Sequence, residues 1–105
     1  MWLIPIPCRA QAESNVVYGL GSILYQEIHV KAGRAVESNF HDFPIPRIDE
    51  MPKVETVLVP SGGFWGGHGE PAILPLTPAV CNAISAATGR RLRSLPLKHH
   101  DLSRA

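Results

Sequence analysis

Apolar residues near the start of the chain recur at the spacing of a helix. The recurring positions are Ala12, Val16, Leu20 and the pair Ile23 and Leu24. They predict a helix over residues 9–24 with one apolar face, and Pro7 suits its beginning. Gly19 and Gly21 each cost a helix about 1 kcal/mol relative to alanine. They indicate either close packing of another backbone against this helix or the end of the helix.

The pattern then changes to alternation, which is typical of a strand. Over residues 25–31 one face carries Gln26, Ile28 and Val30, and the other carries Glu27, His29 and Lys31. Ala32-Gly33 is a two-residue turn, and residues 34–40 can return as the second strand. A β-hairpin is therefore predicted.

The following segments are shorter and less regular. Prolines at positions 44, 46 and 52 predict an extended surface loop over residues 41–53. The β-branched run over residues 54–59 predicts a further strand. Residues 92–97 can form a last short strand, and residues 98–105 are expected to be a frayed tail.

A second helix is predicted near the C-terminal end. Thr77 can cap it, Pro78 can be its first residue, and Gly89 lies where a helix-ending glycine belongs. Its buried face would carry Val80, Ile84 and Ala87. Helix, hairpin, further strands, glycine-rich loop and C-terminal helix together predict an α+β fold in a single domain over residues 1–105.

Composition narrows the class of protein. The chain has 105 residues, of which 45% are hydrophobic and 18% charged, and these values indicate a globular chain. A formal net charge of +1 gives no reason to expect a nucleic-acid partner. The apolar start is too short and too rich in proline for a membrane span or an export signal, so a cytoplasmic location is expected. Cys8 and Cys81 are expected to be buried thiols.

The glycine-rich segment over residues 61–75 is the unusual part of the sequence. Five glycines lie between Gly62 and Gly69, and Glu70-Pro71 follows directly. Glycine lets a backbone approach a ligand closely, and proline fixes the chain after the carboxylate. Glu70 could therefore act as a general base, or it could be a solvated side chain on a flexible loop. A phosphate loop is excluded because it needs lysine where Glu70 stands. No metal site is predicted, since His99-His100 has no third ligand.

Several motifs, in order, resemble one enzyme family. They are Arg9-Ala10-Gln11, Tyr18-Gly19-Leu20-Gly21, Ser38-Asn39-Phe40-His41-Asp42, Gly66-Gly67-His68-Gly69-Glu70-Pro71 and Thr88-Gly89-Arg90-Arg91-Leu92-Arg93-Ser94-Leu95-Pro96. This series resembles the C-terminal end of the molybdenum-binding subunit of the xanthine dehydrogenase/aldehyde oxidase family. The bacterial isoquinoline 1-oxidoreductase β-subunit and nicotinate dehydrogenase branch is the most similar. The resemblance extends roughly from Pro7 to Leu97.

The resemblance implies roles for four residues. Glu70 would be the catalytic base beside the molybdenum, deprotonating a hydroxyl group so that its oxygen attacks an electron-poor carbon of an N-heterocycle or aldehyde. Gln11 would contact the pterin of the molybdenum-molybdopterin cofactor, in its dinucleotide form. Gly67 and Gly69 would allow the cofactor to approach closely.

The sequence also departs from the family's pattern. Glu13-Ser14-Asn15 stands where the family usually has Glu-Gly-Gly, and side chains at Ser14 and Asn15 could obstruct the approach of the cofactor. His68 stands where a small aliphatic residue is usual, and Ile6-Pro7 replaces an Asn-Pro pair.

The resemblance further implies missing partners. They are the upstream part of the molybdenum subunit and an iron–sulfur subunit, and the complete enzyme could also be periplasmic. We therefore expect a fragment that binds no cofactor and is inactive by itself, with surfaces that could form a homodimer. The alternative is a non-catalytic domain or interaction module descended from that subunit.

Overall fold

The computed structural model describes residues 5–60, 62–64 and 66–103. The apolar start at residues 1–4 and the loop positions Ser61 and Trp65 lie outside them. The elements, in chain order, are helix α1 (Pro5–Leu24), strands β1 (Val30–Lys31) and β2 (Arg34–Ala35), a 3-10 turn (Ile48–Glu50), helix α2 (Ile73–Thr88) and a second 3-10 turn (Leu97–His99). Two helices and one antiparallel hairpin confirm the predicted small α+β fold.

Helix α1 begins four residues earlier than predicted. Pro5 and Pro7 fit in its first turn, where backbone N–H groups have no partner within the helix. Its buried positions are Cys8, Asn15, Gly19, Gly21 and Ile23. The predicted apolar stripe from Ala12 to Leu20 is only half-buried. The most buried face is therefore turned by about one residue from the predicted one, and it includes a polar side chain and glycines.

Helix α2 packs against α1 at one of those glycines. A Cβ atom placed on Gly19 would lie 2.6 Å from Cδ2 of Leu76 and 3.8 Å from Cγ2 of Ile73. Glycine at position 19 therefore makes room for the first turn of α2. Another element does pack closely against α1 here, but it does so through side chains of α2 and not, as predicted, through a backbone.

The prediction for the start of α2 is wrong. The helix begins at Ile73, Thr77 lies inside it, and Pro78 is an internal residue. The N-cap position is Ala72, whose N–H is bonded to a side chain of α1, so no threonine cap is needed. The predicted end is confirmed: Gly89 is the C-cap with φ 73°, and its N–H donates to the carbonyl of Ser85.

The hairpin is shorter than predicted. Val30 pairs with Ala35 and Lys31 with Arg34, and all four residues are exposed. Ala32 and Gly33 both have positive φ, 49° and 75°, as a two-residue hairpin turn requires. The further strands predicted over residues 54–59 and 92–97 are not formed. In the described part of the chain, the hairpin is the one sheet, so these runs have no strand to pair with.

The apolar core is small for a chain of this length. Among the described residues, the buried hydrophobic side chains are Cys8, Ile23 and Leu97. Large apolar side chains are strongly exposed elsewhere: Ile48 is 94%, Leu74 82% and Phe64 100% exposed. The radius of gyration is 16.8 Å, against about 13 Å for a compact domain of this size. Much apolar surface thus remains uncovered by the chain itself.

None of the helices in the described ranges has the length and hydrophobicity needed to span a lipid bilayer.

Candidate functional site

The glycine-rich loop is fastened to α1 through the side chain of Asn15. The amide nitrogen of Asn15 donates to the carbonyl of Gly69 (2.7 Å) and to the carbonyl of Gln11 (2.5 Å). Its amide oxygen accepts the backbone N–H of Ala72 (3.2 Å). Asn15 is 3% exposed and is the one buried polar side chain in the described ranges. The backbone on both sides of Glu70-Pro71 is therefore bonded to a single side chain of α1.

A second contact ties the loop to the first turns of the same helix. Nε2 of His68 lies 3.0 Å from the carbonyl oxygen of Cys8. Because a carbonyl only accepts, Nε2 carries the proton in this contact and donates it. Cys8 and Asn15 are seven residues apart, two turns of helix, and so lie on one face of α1. The loop crosses that face with one anchor at each end.

The structure brings three of the predicted site residues together. The carbonyls of Gln11 and Gly69 accept hydrogen bonds from the same amide nitrogen, and Glu70 follows directly. The backbone carbonyl of Glu70 accepts the N–H of Ile73 at 3.2 Å, which joins the loop to the first turn of α2. Both Gln11 and Glu70 are exposed. The loop backbone is thus fixed while the Glu70 carboxylate is accessible.

The space beside the loop glycines is open. A Cβ atom placed on Gly67 or on Gly69 would meet no atom of the described chain within 4 Å. Gly67 has φ 110°, a conformation that favours glycine, whereas Gly69 has no such requirement. Bare backbone at these two positions therefore borders free space next to Glu70.

The side chains that the structure describes form no metal-ligand cluster of their own. The described residues contain no group of three or more histidine, cysteine, aspartate or glutamate side chains that could hold a metal ion. Cys8 is buried and Cys81 is half-buried, and both are free thiols. A metal at this site would need ligands that come with a cofactor or from another polypeptide.

Two groups of charged side chains lie away from the loop and connect separate segments of the chain at its surface. Glu27 contacts Nζ of Lys98 (3.1 Å) and Nε2 of His99 (2.8 Å), which joins the segment between α1 and β1 to the last 3-10 turn. Hydrogen bonds from His99, and next from Lys98, hold the pKa of Glu27 below its usual value. Nδ1 of His29 lies 2.6 Å from Glu37, and that hydrogen bond raises the pKa of His29. These pairs connect separate segments, and none of their residues lines the cleft between α2 and residues 91–95.

A cleft of about 500 Å³ opens between α2 and residues 91–95. It is lined by Thr77, Pro78, Cys81, Asn82, Ser85, Arg91, Leu92, Arg93, Ser94 and Leu95. None of the predicted site residues lines this cleft, so it is separate from the Glu70 loop.

Two residues that fix the loop were not predicted to do so. Asn15 and His68 were singled out only as departures from the family's usual residues. In the structure, Asn15 fills the space between α1 and the loop, and His68 spans from the loop to Cys8. The one signal in the sequence was that both positions differ from the residues usual in the family.

Comparison with known proteins gives several relatives. A scan against protein-family models finds no match. The isoquinoline 1-oxidoreductase subunit beta of Brevundimonas diminuta is 36% identical over 86% of this chain and 12% of its own length. A membrane-bound aldehyde dehydrogenase (pyrroloquinoline-quinone) of Gluconacetobacter polyoxogenes is 32% identical over 95% of this chain and 13% of its own length. The xanthine dehydrogenase molybdenum-binding subunit of Escherichia coli O157:H7 is 32% identical over 90% of this chain and 14% of its own length.

The matches cover nearly all of this chain but a small share of each relative. The chain spans 12% to 14% of the length of these three proteins. Two of these relatives are named as subunits. On this evidence the chain belongs to the xanthine dehydrogenase/aldehyde oxidase family, as a relative of one segment of its molybdenum-binding subunit.

Proposed function

We propose that this chain contributes the catalytic carboxylate, Glu70, to a molybdenum hydroxylase and acts only within a complete molybdenum-binding subunit. One observation supports the proposal most: the Glu70 loop is fastened to α1 next to Gln11 while the carboxylate itself is exposed. A base needs a fixed position and access to the group it deprotonates. The loop provides the first through its backbone and the second through its glycines.

The residues present fit one edge of a molybdenum-molybdopterin cofactor, in its dinucleotide form. Gln11 offers an exposed amide and Gly67 and Gly69 border free space, so a flat polar group can lie against this edge. When bound, the cofactor supplies the metal-centred redox chemistry. Glu70 would accept the proton that is released as the carbon is hydroxylated. Gln11 would orient the cofactor, and the two glycines would leave room for it.

The relatives' names suggest the substrate class and the partners. One is named for isoquinoline, an N-heterocycle, and another for aldehydes. The reaction proposed is therefore hydroxylation of an electron-poor carbon in an N-heterocycle or aldehyde, with oxygen derived from water. An iron–sulfur subunit would take up the electrons, and the rest of the molybdenum subunit would supply most of the cofactor site.

Exposed apolar surface supports dependence on another polypeptide. Phe64 and Leu74, which flank the Glu70 loop in sequence, are 100% and 82% exposed, and α2 has no buried residue. Among the described residues, more large hydrophobic side chains are exposed than buried, whereas such side chains are most often buried in soluble proteins. The alternative, a non-catalytic domain that acts by itself, would have to leave this surface in water. The geometry therefore favours a segment that the rest of the subunit covers.

The first experiment measures molybdenum per mole of tagged chain purified from its native host. Metal at close to one atom per chain, with the remaining subunit segment co-purified, is the expected result. Quinone is measured in the same sample because one relative is named for pyrroloquinoline quinone. A sample with neither molybdenum nor pterin, or with quinone instead, would overturn the proposal.

The second experiment replaces the proposed base in that complex. Glu70→Gln should keep molybdenum content while turnover of aldehydes and N-heterocycles falls at least roughly 100-fold, since general-base catalysis contributes about 10²–10⁴-fold. Glu55→Gln is the matched control, because Glu55 is an exposed glutamate paired only with Lys53 at the surface. Equal turnover in the two variants would contradict the role of Glu70.

A further inference from the structure

The side chain of Asn15 lies where it can control the position of Glu70. It is almost completely buried, and its amide group makes three hydrogen bonds. Burial of an amide is unfavourable unless its donors and oxygen find partners. Here both N–H donors and the oxygen are bonded to backbone. The position is therefore built around this side chain.

Two of the three hydrogen bonds enclose the dipeptide Glu70-Pro71. Gly69 accepts at 2.7 Å on the N-terminal side, and Ala72 donates at 3.2 Å on the C-terminal side. Pro71 between them fixes its own φ and removes a backbone donor. The loop can therefore shift at Glu70 only if at least one of these contacts to Asn15 breaks.

The third hydrogen bond connects Asn15 to Gln11, another of the predicted site residues. The amide nitrogen of Asn15 also donates to the carbonyl of Gln11, one turn earlier on α1. A displacement of Asn15 would therefore change the separation between Gln11 and the Glu70 loop. His68 fastens the loop a second time, to Cys8, but before Gly69 rather than around Glu70.

We propose that Asn15 is a positioning residue, which sets the Glu70 carboxylate relative to Gln11 by bonding the backbone on both sides of Glu70-Pro71. The inference rests on the proposed function, in which Glu70 is the base. Asn15 itself touches neither substrate nor cofactor in this assignment. Misplacement of a catalytic group by about 1 Å can reduce turnover roughly 100-fold. Its loss should therefore affect kcat far more than KM.

The test compares Asn15→Ala, Asn15→Asp and Glu13→Gln in the assembled complex. Asn15→Asp keeps the acceptor for Ala72 and loses the donors, and Glu13→Gln changes an exposed residue of the same helix. The first readout is amide hydrogen exchange in the peptide that contains Ala72. The second is kcat and KM, each reported per molybdenum atom so that cofactor loss is separated from misplacement.

Asn15→Ala should speed exchange at Ala72 at least tenfold and lower kcat roughly 10- to 100-fold, with KM within about twofold. Asn15→Asp should keep most of the protection and still lose turnover, which covers the case in which Asn15→Ala fails to fold. Unchanged amide exchange at Ala72 in Asn15→Ala would show that Asn15 does not hold the backbone around Glu70-Pro71, and the proposal would be wrong. Full turnover per molybdenum atom in both Asn15 variants, with Glu70→Gln inactive, would overturn the positioning role and leave the proposed function intact. Full turnover in Glu70→Gln would instead overturn the proposed function itself.

Discussion

Replacement of Gly19 tests whether helix contact, and not helix propensity, explains this glycine. A Cβ atom at position 19 would lie 2.6 Å from Cδ2 of Leu76. Carbon atoms in contact are ordinarily about 3.5–4.0 Å apart. Leu76 would therefore have to move by about 1 Å. It is only half-buried, so rotation toward solvent is available to it.

Two opposing contributions set the size of the effect. Alanine in place of an interior helical glycine stabilises by about 1 kcal/mol. Overpacking at a close contact destabilises by about 1–3 kcal/mol. Gly19→Ala should therefore lower the free energy of unfolding by about 0–2 kcal/mol. In a Leu76→Ala background the clash is gone, and the same substitution should stabilise by about 1 kcal/mol.

The assay is urea unfolding followed by circular dichroism, for the four chains of a double-mutant cycle. The coupling between positions 19 and 76 should be about 1–3 kcal/mol, within the range for residues in contact. Ala10→Gly, at an exposed position of α1, measures the propensity contribution separately. If Gly19→Ala has the same effect in the chain that keeps Leu76 and in the Leu76→Ala background, the packing explanation is wrong.

The remaining predictions concern the hairpin. Ala32 has φ 49°, which asparagine tolerates better, so Ala32→Asn should raise the free energy of unfolding by up to about 1 kcal/mol; no rise in the urea midpoint would contradict this. The pKa of His29 is raised and that of Glu37 lowered by their mutual hydrogen bond, from ordinary values of 6.5 and 4.5. The stability that His29 contributes to the folded state is complete below pH 6.5 and is lost as the pH rises through its raised pKa. The stability that Glu37 contributes is complete above pH 4.5 and is lost as the pH falls through its lowered pKa. The pair therefore stabilises the folded state most between pH 4.5 and pH 6.5. An NMR titration should give His29 a higher pKa than in Glu37→Gln, and equal values would refute the pairing.

Local signals in the sequence predicted the elements that depend on local chemistry. Gly89 ends α2 because its φ of 73° suits glycine, and Ala32-Gly33 turns the hairpin. The start of α2 could not be predicted in the same way. Its N-cap residue, Ala72, is bonded to Asn15, which lies 57 residues away in the chain. Because this contact comes from α1, no residue close to the start of α2 in the sequence indicates it.

The buried face of α1 was mispredicted for a related reason. Apolar periodicity locates a core that is formed by apolar side chains, but here the face that meets the loop and α2 carries Asn15 and Gly19. Asn15 is buried because its amide is fully hydrogen-bonded, and Gly19 because Leu76 occupies the space above it. Neither property is visible in hydropathy. The resemblance supplied Glu70, Gln11, Gly67 and Gly69 as site residues, and their roles stay predictions.

The contacts that set the geometry of the site differ from the contacts that stabilise the fold. The contacts that fix the Glu70 loop are polar, lie within this chain, and leave no described buried side-chain nitrogen or oxygen without a partner. Both partners of each contact belong to this chain, so its own residues set the position of the backbone around Glu70. Stability differs, because three buried hydrophobic side chains among the described residues form a minimal core. Burial of exposed side chains such as Phe64 and Leu74 by another polypeptide should therefore add stability. We expect such burial to raise the unfolding temperature and to leave the position of the Glu70 loop nearly unchanged.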